Sequence, residues 1–405
     1  MDDPFLEQRT IPPPIYPDDP GSPPPASILL DARGYLSART NATTAGAFMR
    51  SGHRVFVTFW PAHPPRVSCF SVHCPDLRPS ALGDMPRILT TERDLVLLRV
   101  AVCCRSLSSD PECNDYFVYH AGAGPAKPPS LTSIPSPPAF LFSDADAGLL
   151  PCRDGDAFFV AALRWAAFHK GQYDLHLYSS RTATWRTKLT SLRSAKTRVR
   201  PNTSKVITIG GELGSVGFVD LWQGILIADV LLDNDHLRYI PLPPPLVPRP
   251  FAGPPLIVRD IIVLEGCIKY FEMHKQFNGG WEAATWIRKD SWKEWKDGCK
   301  IKVCEPTSND PASTEVTPSV QEGESMEQPT LKGFYSGYPA LSLHDDDVVY
   351  IMDRHDLRDR KALVIAVDLR KQTLKGVAHF GPGRPLGFAS KYLQSGISKF
   401  LDFTS

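Results

Sequence analysis

Residues 217–237 read GFVDLWQGILIADVLLDNDHL. An apolar run reaches Asp220, Gly224 is placed to turn the chain, and a second run, GILIADVLL (224–232), follows. Both runs are short and rich in β-branched residues, which predicts two strands of a hairpin. The second run closes in a polar turn with an apolar anchor behind it, Leu237. The same order of strand, polar turn and anchor recurs in HLYSSRTATW at Trp185, WIRKDSW at Trp292 and VDLRKQTL at Leu374. The anchors are 52, 55 and 82 residues apart, and the last interval holds an acidic stretch of about 28 residues whose removal restores the period. Stepping back by that period reaches Leu131 and then Leu77.

A repeat of this size with several short strands per unit is the signature of a β-propeller, in which each small sheet buries both faces against its neighbours. The sequence predicts an all-β, propeller-like fold of about six four-stranded blades over residues 27–405, with the six anchors opening the outer strands. The competing architecture is two smaller β domains divided near residue 200. Further strand candidates lie at 53–60, 95–102, 173–180, 267–274, 281–288, 347–353 and 362–369. Helical spacing is confined to 155–168, which also reads as a strand, and to the tail 387–401.

Proline makes up 39 of 405 residues, about twice ordinary usage, which argues against long helices. Nine of the prolines fall in residues 1–26, read as a disordered arm. Others cluster at 125–138 and 241–255, read as loops. Residues 303–331 carry six acids and no lysine or arginine, and read as a disordered acidic loop. Hydrophobic residues at 42% and charged residues at 22% suit a globular chain with a large core. No apolar run approaches the roughly 20 residues that span a bilayer. The N-terminus lacks the basic and apolar regions of a secretory signal. Nine irregularly spaced cysteines predict reduced thiols and a cytoplasmic or nuclear protein, so the sequons at Asn41 and Asn202 are expected to stay unmodified.

Four blocks carry a resemblance: SILLDARGYLSARTNATTA (27–45), VFVTFWPAHPPRVSCFSVHCP (55–75), GFVDLWQGILIADVLLDNDHLRYIPLPPPL (217–246) and GGWEAATWIRKDSWKEW (279–295). They resemble a plant family, numerous in grasses, known as domain of unknown function 1618. The likeness is most specific over 217–345. It implies a plant source and a propeller-like β fold, and it brings no activity or catalytic residues. Some plant relatives of similar build carry an F-box, and residues 1–26 show no such helical leucine pattern.

The signature residues Asp220, Trp222, Gly224 and Asp229, with Trp281, Trp286 and Trp292, read as structural: a turn glycine, aspartates that cap turns, tryptophans between blades. A ligand-facing aspartate pair is the alternative. Cys69, His73 and Cys74 with Cys103 and Cys104 lack metal-ligand spacing, as do Cys299 and Cys304, so no metal and no cofactor is expected. GGELGSVG (210–217) reads as a tight turn rather than a phosphate loop. HDDD (344–347) and DRHDLRDR (353–360) read as polar turns, lacking a calcium loop's alternating ligands.

Charge is less evenly spread than the net +1 suggests. Between Asp174 and Glu212 stand eight lysines and arginines and no acid: Arg181, Arg186, Lys188, Arg193, Lys196, Arg198, Arg200 and Lys205. This segment is a candidate interaction surface for an acidic partner or for the chain's own acidic loop. Nucleic acid is not expected, since no recognition motif accompanies it. The expected function is a monomeric, non-enzymatic scaffold for an unknown protein partner. The alternatives are a hydrolase or lyase in the central channel, or a ubiquitin-ligation adaptor without its own F-box. An enzyme should gather carboxylates and histidines on one face, and the ones to check are Asp220, Asp229, His236, His274, Asp347 and Asp353.

Overall fold

The computed structural model describes residues 11–14, 16, 23–102, 113–122, 127–137, 143–153, 156–166, 169, 171–193, 202–232, 235–248, 253–275, 281–303, 336–353, 362–381 and 391–401. Blade I uses β1 (Ile28–Asp31), β2 (Tyr35–Leu36), β3 (Ala45–Phe48), β4 (Arg54–Trp60) and β5 (Val67–His73). Blade II is β6 (Arg87–Glu92), β7 (Leu95–Ala101), β8 (Asn114–His120) and β9 (Ser130–Ile134). Blade III is β10 (Ala147–Pro151), β11 (Phe158–Trp165), β12 (Gln172–Ser179) and β13 (Thr184–Leu192). Blade IV is β14 (Lys205–Gly210), β15 (Ser215–Asp220), β16 (Gly224–Asp229) and β17 (His236–Pro241). Blade V is β18 (Arg259–Leu264), β19 (Cys267–Lys275), β20 (Trp281–Lys289) and β21 (Lys296–Val303). Blade VI is β22 (Ser336–Leu341), β23 (Val348–Asp353), β24 (Ala362–Asp368) and β25 (Thr373–Phe380). The last strand, β26 (Tyr392–Ser395), returns to blade I.

Blades II to VI are antiparallel meanders in chain order. Their middle strands are largely buried because neighbours cover both faces. All seven residues of β7 (LVLLRVA) are buried, as are all six of β15 and of β16. The outer strands have one open side and alternate: β25 (TLKGVAHF) exposes Thr373, Lys375, Val377 and His379 less or more strongly in turn with covered residues.

Six apolar clusters fill the six gaps and make the sheets a closed ring. Phe59 and Tyr119 join blades I and II, with ring centroids 4.6 Å apart. Leu97 and Phe158 join II and III, and Leu177 and Phe218 join III and IV. Ile227 and Tyr270 join IV and V, and Phe271 and Ile351 join V and VI. Leu29, Val67 and Tyr350 join VI and I. The two-domain alternative fails here: β13 and β17 even pair in parallel across blades III and IV, at Ser191↔His236 and Leu192↔Leu237.

Blade I departs from the four-strand expectation. Its order from the axis outward is β26, then β1 and β2 end to end, then β5, β4 and β3. The C-terminal strand thus supplies the innermost row, pairing Ile28↔Ser395 through Asp31↔Tyr392. Four anchors, Leu131, Trp185, Leu237 and Leu374, are each the second residue of an outer strand. Trp292 falls one turn short of β21, and Leu77 follows β5, because blade I is built from its outer strand inward. Residues one period apart touch across blades. The Trp185 indole N–H donates to the Pro135 carbonyl at 2.8 Å, 50 positions earlier, and that of Trp295 to Pro241 at 2.8 Å, 54 positions earlier.

Local expectations were corrected in four places. The described part of the tail 387–401 is β26 and a 3-10 turn, Ile397–Lys399, whereas the window 155–168, which reads both ways, holds the strand β11. The proline-rich loop at 125–138 contains β9, whose five residues SLTSI hold no proline and are flanked by Pro129 and Pro135. Part of the N-terminal arm packs on the body: Pro13 is buried, and the Tyr16 hydroxyl donates to the Val67 carbonyl at 3.0 Å. Cys113 is disulfide-bonded, whereas Cys69, Cys74, Cys152, Cys267 and Cys299 are free thiols. The acidic loop beyond Val303 lies outside the described residues.

Candidate functional site

Each inner strand is paired on one side only, so its other row of amides and carbonyls faces the axis. There the strands line an open cavity of about 120 Å³. All six blades line it: Leu89 and Thr91 from β6, Asp144 ahead of β10, Lys205 on β14, Asp260 on β18, Tyr338 on β22, and Lys391 and Gln394 at β26. Most of its charges are already matched. The Lys205 ammonium meets Asp260 at 2.7 Å, and Asp144 meets Arg87 at 3.4 Å and Arg99 at 3.3 Å. Asp260 also accepts the Leu341 amide at 2.9 Å. Lys391 forms no ion pair within 4.0 Å among the described residues. Burial lowers its pKa, Asp144 opposes that, and the neighbouring cations Lys205 and Arg87 add to it.

At the far end of β6, burial pushes the Glu92 carboxyl up to about 7, against a Thr208 hydrogen bond and the Arg93 charge. A carboxyl with a raised folded pKa binds its proton more tightly folded than unfolded. Its contribution is therefore most favourable below the unfolded value of 4.5 and is lost as pH rises through about 7. Glu92→Gln is expected to stabilise the protein by about 1–3 kcal/mol at pH 8. The gain should shrink towards zero at pH 4.5, as read from urea unfolding at both pH values.

The signature residues build an inter-blade joint. Asp220 caps the turn after β15, accepting the Trp222 amide at 2.8 Å, the Gln223 side-chain amide at 2.8 Å and the Asn202 amide at 3.0 Å. The Trp222 ring lies under the Arg259 guanidinium at 4.2 Å. Gly224 follows the turn instead of making it. A Cβ there would sit 2.4 Å from the Ile240 carbonyl oxygen, so glycine is needed for the close approach of β17. Asp229 accepts from the Ser215 hydroxyl at 2.5 Å and pairs with Arg238 at 3.0 Å. Trp281 and Trp286 are buried, and the Trp286 ring packs against Tyr270 at a tilt of 38°, with centroids 5.5 Å apart. Lys296 covers Trp292 at 4.1 Å.

The basic segment is not one patch. Arg181 precedes β13, Arg186 and Lys188 lie on it, and Arg193 is exposed just past it. Lys188 pairs with Asp235 at 3.1 Å. Lys205 is instead at the axis, because the chain crosses from an outer to an inner strand on the way. Lys196, Arg198 and Arg200 lie outside the described residues.

The six carboxylates and imidazoles do not gather. Asp220, His274 and Asp353 lie at or near the ends of second strands, on the edge of the ring where inner strands begin. Asp229, His236 and Asp347 lie on the opposite edge. No group of three metal-ligating side chains occurs among the described residues. Burial raises the thiol pKa of Cys69 and pushes that of Cys74 up to about 12, so neither offers a thiolate. The acids of 345–347 are each tied to a different cation: Asp345 to Lys375, Asp346 to Lys269 and Asp347 to Arg370.

On the edge where the inner strands end, two turns of blade IV expose leucines. Leu213, Leu231 and Leu232 are 39%, 51% and 43% exposed. The Leu231 amide donates to the Leu213 carbonyl at 3.1 Å, which holds the turns side by side. Arg186, Lys188, Leu232 and His236 share a shallow recess next to them. No sequence motif marked this patch, since its leucines belong to two separate turns.

No curated protein matches the sequence. Among solved structures, the chain is similar to the WD40 domain of SCAP from fission yeast, at 12% identity over 87% of this chain and 85% of that one, with a TM-score of 0.32. It is similar to a hypothetical selenium-binding protein from Sulfolobus tokodaii, at 12% identity over 89% and 76%, with a TM-score of 0.37. It is also similar to the β-propeller domain of the Trilobed protease from Pyrococcus furiosus, at 8% identity over 78% and 97%, with a TM-score of 0.29. Overlaps this loose say nothing of ligands or partners, and the propeller assignment rests on the chain's own strand pairing and blade packing. No helix among the described residues is long and apolar enough to cross a membrane. Residues 218–350, which hold the inter-blade joint and the exposed Leu231 and Leu232, match the family model described as "Protein of unknown function (DUF1618)".

Proposed function

We propose that the protein is a non-enzymatic, monomeric interaction scaffold of the plant cytoplasm or nucleus, which binds a partner polypeptide at the leucine patch of blade IV. The observation that carries this reading is the contiguous exposure of Leu213, Leu231 and Leu232 on turns held together by backbone hydrogen bonds. Rigid apolar patches with a polar rim are what binding surfaces present. The rim here includes Arg186 and His236, which suits a segment with an apolar residue flanked by acids. The division of the six candidate acids and histidines between opposite edges favours binding over catalysis in the channel.

The test is an array of 15-residue peptides that pair apolar anchors with acidic, neutral or basic flanks. Wild type is expected to select acidic flanks, and Leu231→Asp/Leu232→Asp to lose at least about tenfold in affinity while melting at an unchanged temperature. Both leucines are surface residues, so their replacement should leave the fold intact. Equal binding of basic-flanked peptides, or an undiminished double variant, would reject the proposal.

A further inference from the structure

A charged surface lies beside the leucine patch, on blade V. The turn between β20 and β21 carries Lys289, Lys293 and Lys296, all exposed. Lys289 and Lys296 stand over the same half-buried indole, that of Trp292, at 5.8 and 4.1 Å from its centroid. One ring thus gathers two ammonium groups that repel each other. The acids nearby do not relieve them. Asp290 pairs with Arg238 at 2.6 Å and Asp297 with Lys300 at 3.5 Å. Among the described residues none of the three lysines has a carboxylate within 4.0 Å, and Glu294, exposed in the same turn, pairs with none of them.

A single guanidinium ties this turn to the leucine patch. Arg238 holds Asp290 on one side and Asp229 on the other, the latter at 3.0 Å. Leu231 and Leu232 follow Asp229 by two and three residues, and the meander places both turns on the edge where the inner strands end. Cations therefore flank the leucines on two sides, Arg186 on blade III and the lysines on blade V.

The kind of cation selects the partner. A lysine ammonium is a point charge without the fork that grips a phosphate in two places. The Trp292 ring is already occupied by ammonium groups, so it offers no stacking platform for single-stranded nucleic acid. Glu212 and Asp235 stand exposed next to the leucines and would be pressed onto the headgroups of an anionic membrane. An acidic chain segment meets none of these conflicts. We infer that the lysine turn of blade V docks a run of aspartates and glutamates belonging to the same partner polypeptide whose apolar residue enters the leucine patch. This rests on the leucine-patch reading and adds the place and length of the acidic flank: about three acids, one for each unpaired lysine.

The test is fluorescence anisotropy of labelled peptides with the full-length protein. One set joins a leucine pair to a run of glutamates, placed before or after it, and a matched set carries glutamines instead. In the better of the two orders the glutamate peptide should bind about tenfold more tightly than its glutamine match. That advantage should fade as salt rises from about 0.05 M to about 0.5 M. Lys289→Gln/Lys293→Gln/Lys296→Gln should remove it at an unchanged melting temperature, and the three arginine replacements, which keep the charge, should retain it. A glutamate advantage undiminished in the glutamine variant would overturn the inference and leave the leucine patch standing. Failure of the leucine-patch reading looks different: Leu231→Asp/Leu232→Asp would then bind the glutamate peptide as tightly as wild type does, which would break the link between the two surfaces. Equal or tighter binding of oligothymidine, or of vesicles of phosphatidylcholine and phosphatidylserine in equal parts, through the same lysines would overturn the choice of partner.

Discussion

Arg259→Ala should destabilise the protein by about 3–5 kcal/mol, the largest single-residue effect expected anywhere in the ring. Arg259 and Glu272 are each 4% exposed and meet at 3.0 Å between blades IV and V. The guanidinium also donates to the Leu221 carbonyl at 2.7 Å and covers the Trp222 ring. Glu272 in turn accepts from the Tyr270 hydroxyl at 3.1 Å and the Leu246 amide at 3.3 Å. Removing the cation leaves a carboxylate out of water with neutral donors alone. Arg259→Met/Glu272→Leu, which removes both charges and keeps volume, should recover most of the loss. Urea unfolding of wild type, Arg259→Met, Glu272→Leu and the double variant completes the cycle. A double variant no better than Arg259→Ala would mean that the joint is held by shape and not by charge balance.

Deleting residues 391–405 should have a still larger effect, abolishing cooperative unfolding. The deletion removes β26, the inner row of blade I, and uncovers the β1 edge that it pairs. It also removes Tyr392 from the VI–I cluster and Ile397 and Leu401 from the I–II cluster, so two of six blade contacts are opened at once. A ring that loses one closure presents two exposed sheet faces and a bare strand edge, the combination that leads to association. Differential scanning calorimetry should show the single transition replaced by a broad one, with oligomers by size exclusion. A synthetic peptide of residues 391–405 added in trans should restore the sharp transition at saturating concentration. An unchanged transition in the truncated chain would show that blade I closes without its C-terminal strand.

How much of this was legible in the sequence follows from the range of each signal. Strand positions were, because burial on both faces writes itself into runs such as LVLLRVA, and alternation on the outside into TLKGVAHF. The blade period was legible wherever strands follow chain order, hence the four anchors that land on outer strands. Blade I was not, because pairing between β1 and β26 joins opposite ends of the chain and leaves no local pattern. The short run YLQS (392–395) falls inside a stretch of helical spacing for the same reason. The axial cavity was nearly invisible: of its charged residues only Lys205 was singled out, and for a different role. Each blade contributes one or two residues, separated by a whole repeat. A usable signal did exist: Lys205 and Asp260, opposite charges 55 positions apart, open successive inner strands and pair. Residues spaced by one period take matching places on adjacent blades, and opposite charges at that spacing are a readable contact.

The C-terminal closing strand also sets the timetable of folding. Contacts between distant chain positions form late because the intervening loop must first be confined, even though each doubling of loop length adds only about 0.6 kcal/mol. During synthesis β1 emerges among the first strands and waits for a partner among the last. Until then the nascent chain carries an unpaired edge at Ile28–Asp31 and an open apolar face around Leu29 and Val67. Its most vulnerable interval is therefore on the ribosome, when five blades have room to form and the sixth has no inner row.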